Sequence, residues 1–124
     1  MEINTALKHL VEVHPVFETA VEEFEAAFGN DVPLLSMGRV GSAFVQYFDE
    51  IDEDSRLALF TRVDALLVCG DDATETAVAT GLLEAVISHI ENRGHDRAPI
   101  ERYFGPEAAA YVLAWERDLG IEGG

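Results

Sequence analysis

Cysteine and lysine are almost missing from this chain: Cys69 and Lys8 are the only ones, and the remaining basic residues are seven arginines. A lone cysteine excludes an internal disulfide, and with it the cystine-held scaffolds of small secreted domains. It also excludes metal sites built from several thiolates. No apolar run approaches the ~18 to 20 residues that a membrane span requires. The opening Met1-Glu2-Ile3-Asn4 has neither the basic region nor the apolar stretch of a signal peptide, so the expected compartment is the cytoplasm.

Positive charge is equally scarce. Eight basic residues stand against 24 acidic ones, a formal net charge of -16. Such a field repels phosphate backbones and anionic headgroups over about a Debye length, so neither nucleic acid nor membrane is an expected partner. Cations, basic peptides and basic protein faces are attracted instead. A GC-rich genome or a salty cytoplasm would leave the same bias, with acidity then serving solubility alone.

Apolar content is ample. The 124 residues are 48% hydrophobic, with Phe, Leu and Val spread along the chain, which suits one domain over residues 1–124 built on one core. The apolar residues recur at helical intervals almost throughout, and no segment alternates convincingly with period two. Ile3, Leu7, Leu10, Val11 and His14 trace a short first helix that Pro15 interrupts, proline having no amide donor. Phe17, Ala20, Val21, Phe24, Ala27 and Phe28 form the stripe of a second, with Glu18, Glu22, Glu23 and Glu25 opposite and Gly29 as its stop.

The third helix carries Val40, Phe44, Tyr47, Phe48 and Ile51. Its start is open: Gly38, Gly41 and Ser42 share a face that would admit a neighbouring backbone, yet a beginning near Arg39 avoids the propensity cost of interior glycine. Leu59, Phe60, Val63, Leu66 and Leu67 predict a fourth helix ending at Gly70. Ala65 to Cys69 alone would suit a buried strand, but the helical pattern begins earlier and runs through it. In Asp71-Asp72-Ala73-Thr74-Glu75, Asp72 is the expected cap of a fifth helix and Glu75 completes a capping box. Val78, Ala79, Leu82, Leu83, Val86, Ile87 and Ile90 give that helix a wide stripe, and Gly94 closes it. Pro99 starts a short turn through Ile100, Tyr103 and Phe104. From Pro106 a last helix directs Ala109, Tyr111, Val112, Leu113 and Trp115 inward and ends near Leu119-Gly120. Short connections favour antiparallel neighbours. The expected fold is all-α, a compact antiparallel bundle or short stack of helical hairpins with about five to six helices.

Four tracts occur in order: Val13-His14-Pro15-Val16-Phe17; Leu34-Leu35-Ser36-Met37-Gly38-Arg39-Val40; Cys69-Gly70-Asp71-Asp72 leading into Gly81-Leu82-Leu83-Glu84-Ala85-Val86; and Phe104-Gly105-Pro106-Glu107. Together they resemble a family of small helical bacterial proteins of unassigned function. The resemblance implies an all-helical fold and a likeness to accessory and immunity-type proteins of bacterial competition systems. It supplies no catalytic residues, and fold analogy alone is an associational warrant for function.

Side chains able to carry chemistry each have a plainer reading. Asp49, Asp52 and Asp54 suggest a calcium loop, but counting from Asp49 the sixth place is Asp54 and the twelfth Phe60, where an EF-hand needs glycine and glutamate. A solvated loop favouring the start of the fourth helix fits better. His9, His14, His89 and His95 include no i, i+4 pair, so structural imidazoles are expected and no metal. No G-x-S-x-G elbow occurs, and Cys69 lies in an apolar run that disfavours thiolate. Gly38-Arg39-Val40-Gly41 matches a G-x-x-G clamp only by letter, since that clamp works in a basic mixed α/β module. Glu84 is either solvated or a hydrogen-bond partner between helices. Arg93 and Arg97 are placed to neutralise the Asp49 to Asp54 stretch, leaving Asn30, Asp31, Asp71 and Asp72 at the other end with fewer compensating charges.

These features together predict a non-catalytic acidic binding protein without cofactor, an immunity-type inhibitor covering the basic face of a toxin such as a nuclease. Its expected partner-binding residues are Asp49, Glu50, Asp52, Glu53 and Asp54, together with Asp71, Asp72 and Glu75. The alternatives are a regulatory or scaffold domain that self-associates through helical faces, and an enzyme whose acid and base lie on separate helices.

Overall fold

The computed structural model describes residues 2–29, 33–94 and 96–118, and no strand occurs among them. The helices are α1 (Ile3–Val11), α2 (Pro15–Phe28), α3 (Pro33–Gln46), a 3-10 turn (Phe48–Glu50), α4 (Glu53–Cys69) and α5 (Asp72–Thr76). A π-helical segment (Ala77–Leu83) then joins α5 to α6 (Glu84–Arg93), and α7 (Ala98–Glu101) and α8 (Pro106–Asp118) complete the order. The all-α expectation holds, and the Ala65 to Cys69 run is helix.

Local chemistry sets most boundaries. Pro15 ends one apolar stripe and opens the next helix, and His14 caps α2 by accepting the Val16 N–H on Nδ1 at 3.1 Å. Gly29 and Gly94 take positive φ, 87° and 68°, as residues that terminate helices do. Asp52 caps α4, accepting the Ser55 N–H at 3.0 Å. The cap of α5 is Asp71 rather than Asp72, with the Thr74 N–H on Asp71 Oδ1 at 2.8 Å. The expected capping box through Asp72 and Glu75 is therefore one residue out of register, and both belong to the first turn.

The centre is the crossing of α3 over the π segment and α6. There α3 begins at Pro33, well before Arg39, and its interior glycines are explained by contact. A methyl group on Gly41 would be driven into the Leu82 carbonyl oxygen, and one on Gly38 would lie 3.4 Å from the Gly81 oxygen. Gly81 reciprocates, since its Cβ would stand 2.8 Å from the Leu34 oxygen. Each interior glycine costs about 1 kcal/mol of helix propensity; at Gly41 and Gly81 the backbones approach too closely for a larger residue, whereas a methyl at Gly38 would make ordinary contact. The predicted stripe of the fifth helix is buried throughout, and the π turns add Ala77 and Gly81 to it. An i→i+5 turn carries an extra residue, so the segment presents a broader face to α3.

Around this crossing an aromatic chain runs Phe104–Phe60–Phe44–Phe48–Tyr103, with ring centroids 4.9 to 5.8 Å apart, the spacing of favourable ring pairs. On α8 the buried residues are Ala108 and Val112, while Ala109 and Leu113 face outward. The expected stripe was rotated because Asp64 of α4 fixes the helix start: its two oxygens accept the Glu107 and Ala108 N–H groups at 3.1 and 3.0 Å. Gly105 leaves room for that carboxylate, which a Cβ would strike. On α2 the stripe is buried at Phe17, Ala20 and Val21 but runs out toward the C-terminus, where Ala27 and Phe28 are exposed. Asn30, Asp31, His95, Leu119 and Gly120 lie outside the described residues, as does the Arg93 side chain.

Candidate partner-binding surface

The acidic residues expected from the sequence fall into separate patches. Asp49 and Glu50 are exposed in the 3-10 turn, and Asp52, Glu53 and Asp54 are exposed where α4 begins. Asp71, Asp72 and Glu75 are exposed beyond its far end, where α5 begins. The seventeen residues of α4 set the patches about 25 Å apart. They do not form one surface.

Several of these carboxylates also have work inside the fold. The Ser55 hydroxyl, with help from its N–H, holds the Asp52 carboxyl below its ordinary range. The Thr74 N–H does the same for Asp71, aided by the Thr74 hydroxyl. Glu53 accepts from Arg102 Nη2 at 3.2 Å. That arginine donates to the Tyr103 hydroxyl oxygen at 2.7 Å, and Arg56 donates to the same oxygen at 3.2 Å while its guanidinium lies 3.8 Å from the Phe48 ring centroid. Arg102 first, and Arg56 second, lower the Tyr103 pKa by favouring the charged phenolate. This corner fastens α4 to the turn after α7.

Arg97 does not reach the Asp49 to Asp54 stretch. It pairs with Glu101 and with both oxygens of Glu116, and the Glu116 bonds chiefly raise its pKa above the ordinary arginine value. Glu84 takes the second of its two readings, accepting the Tyr111 hydroxyl on Oε2 at 2.8 Å. Burial, with the carboxylate second, raises that phenol's pKa. Cys69 is exposed at the end of α4 rather than enclosed in an apolar run. Among the described residues, no group of three or more His, Cys, Asp and Glu side chains gathers as metal ligands would, and no helix is long and apolar enough to cross a membrane.

The acidic stretches that stand out in the sequence do not line the hollow between α1 and α2, which measures about 600 Å³. Leu7, Val11 and Val21 supply apolar walls, while Glu12, Glu18, Glu22 and Glu25 line it with carboxylates. Lys8 also borders it, and makes no ion pair among the described residues. Two of the carboxylates are partly engaged: Ser36 Oγ donates to Glu25 at 3.1 Å, and Arg62 stands 3.7 Å from Glu12. Glu18 and Glu22 have no such partner among the described residues. The signal was legible in part, as the polar side of the second helix, but its meeting with α1 is a tertiary fact.

No curated protein and no solved structure matches the chain. The model of a domain family of unknown function, DUF7674, matches residues 7–120, a span that takes in α1 from Leu7 onward, α2 and the α3 crossing, and the chain belongs to that family.

Proposed function

We propose that the protein is a non-catalytic acidic binding module, an immunity-type inhibitor that covers the basic face of a bacterial toxin such as a nuclease. The observation that carries this reading is α2, which bears Glu18, Glu22, Glu23 and Glu25 with no basic residue in its length. Like charges one turn apart destabilise a free helix, and a net charge of -16 adds repulsion across the whole surface. A cationic partner relieves both and is drawn in faster by the same field. The test is affinity capture from the native host followed by a salt gradient. One basic protein released as salt rises, and inhibited when the chain is added back, is the expected result. Recovery of no basic protein, or of one whose retention ignores salt, overturns the reading.

Self-association is the second reading, favoured by apolar side chains at one corner: Phe28 at the end of α2 is 75% exposed and Leu35 near the start of α3 is 53% exposed. Light scattering separates the two readings, because a monomer mass across the micromolar range removes this one.

A further inference from the structure

We propose that the cleft between α1 and α2 seats a basic amphipathic helix of the partner protein. This deepens the function proposed above and rests on it. The cleft is open to solvent and bounded by two helices, so a third helix completes the packing as a helix laid in a groove. Its length is set by α1, whose nine residues span about 13 Å, room for two turns of a visiting helix. Apolar side chains of the visitor meet Leu7, Val11 and Val21, of which Leu7 and Val21 are only 7% and 6% exposed. Val11, partly exposed, offers most of the free apolar surface.

Charge spacing selects the occupant. Glu18, Glu22 and Glu25 follow one another at intervals of four and three residues, so their carboxylates rise along one edge of the cleft, one per turn. Arginines or lysines at the same interval on a facing helix meet them in register, and their aliphatic stems lie on the apolar wall. A smooth polyanion has the wrong sign, and a wholly apolar helix leaves Glu18 and Glu22 facing it unsatisfied. On the opposite wall Lys8 stands one turn from Glu12, which already has Arg62 3.7 Å away, so that edge offers a visiting cation less than the α2 edge does. The fitting visitor is therefore basic along one flank and apolar beneath.

The experiment uses the full chain and two synthetic peptides of identical composition. In one, leucines form a helical stripe flanked by arginines at alternating three- and four-residue spacing; in the other the order is scrambled. Fluorescence anisotropy at low salt is expected to give binding of the patterned peptide about tenfold tighter than of the scrambled one. The Glu18→Gln/Glu22→Gln variant is expected to lose about tenfold for the patterned peptide, and the exposed control pair Glu91→Gln/Glu107→Gln to lose far less. Equal binding of both peptides, equal loss in both variants, or no binding of the patterned peptide overturns the cleft assignment. The captured host protein provides a separate arm. If the Glu18→Gln/Glu22→Gln chain still retains it fully, the cleft is wrong and the acidic-module reading stands. If wild type captures no basic protein, the module reading itself fails.

Discussion

The carboxylates of α4 and its neighbours differ from those of α2 in what they touch. Asp52 and Asp71 each stand before a helix and accept its N–H groups, and Asp64 does so for a helix other than its own. Glu22 and Glu23 of α2 are exposed and make no ion pair or hydrogen bond among the described residues, and neither does Glu18, which stands in the first turn of α2; Lys8 borders the cleft that Glu18 and Glu22 line. Same charge, different geometry: an acidic residue stabilises the fold where it meets the positive end of a helix, and burdens it where its neighbours one turn away on the same helix are carboxylates. Acid content alone does not locate a binding surface.

The largest loss is expected where a carboxylate caps a helix other than its own and so joins two elements. Asp64→Ala leaves the Glu107 and Ala108 N–H groups without their acceptor and is expected to cost about 2 kcal/mol in urea denaturation. Gly105→Ala acts on the same contact from the other side, so the double variant is expected to cost little more than the larger single change. Additive costs would show that Gly105 and Asp64 do not share one interaction.

Next in size are the local caps. Asp52→Ala and Asp71→Ala are each expected to lower Tm by about 3 °C at neutral pH. Hydrogen bonding depresses both pKa values in the folded state. Their contribution is therefore complete above the unfolded carboxylate value of about 4 and disappears as pH falls through the lower folded values. The Tm gap between wild type and either variant should narrow as pH falls from about 5 to 2. A gap that stays constant over that window would contradict the capping role.

The helical period and the glycine and proline stops lay open in the letters, because each reflects local sterics or a face turned to the core. What escaped them depended on a neighbour. Nothing in Asp71-Asp72 tells which aspartate is extended and which is helical until the chain leaves Gly70. The outward turn of Leu113 follows from Asp64, far away in sequence, and the early start of α3 is masked by glycines whose use appears only when Gly81 and Leu82 lie against them. The acidic stretches that stand out in sequence, Asp49 to Asp54 and Asp71 to Glu75, include residues committed to capping. The spaced glutamates of α2 looked like an ordinary solvated face until α1 lay beside them.

The smallest expected effect is also the most direct test of the central claim that the α2 carboxylates are held against their own repulsion. Glu22 has Glu18 four residues before it and Glu25 three after, so Glu22→Gln removes like-charge contacts worth a few tenths of a kcal/mol each, ~0.5 kcal/mol together. Melting of the free protein at low and at high salt measures it: the variant should melt above wild type at low salt, and the gap should close as salt screens the charges. A variant that melts below wild type at low salt would mean that Glu22 stabilises the fold, contradicting the account.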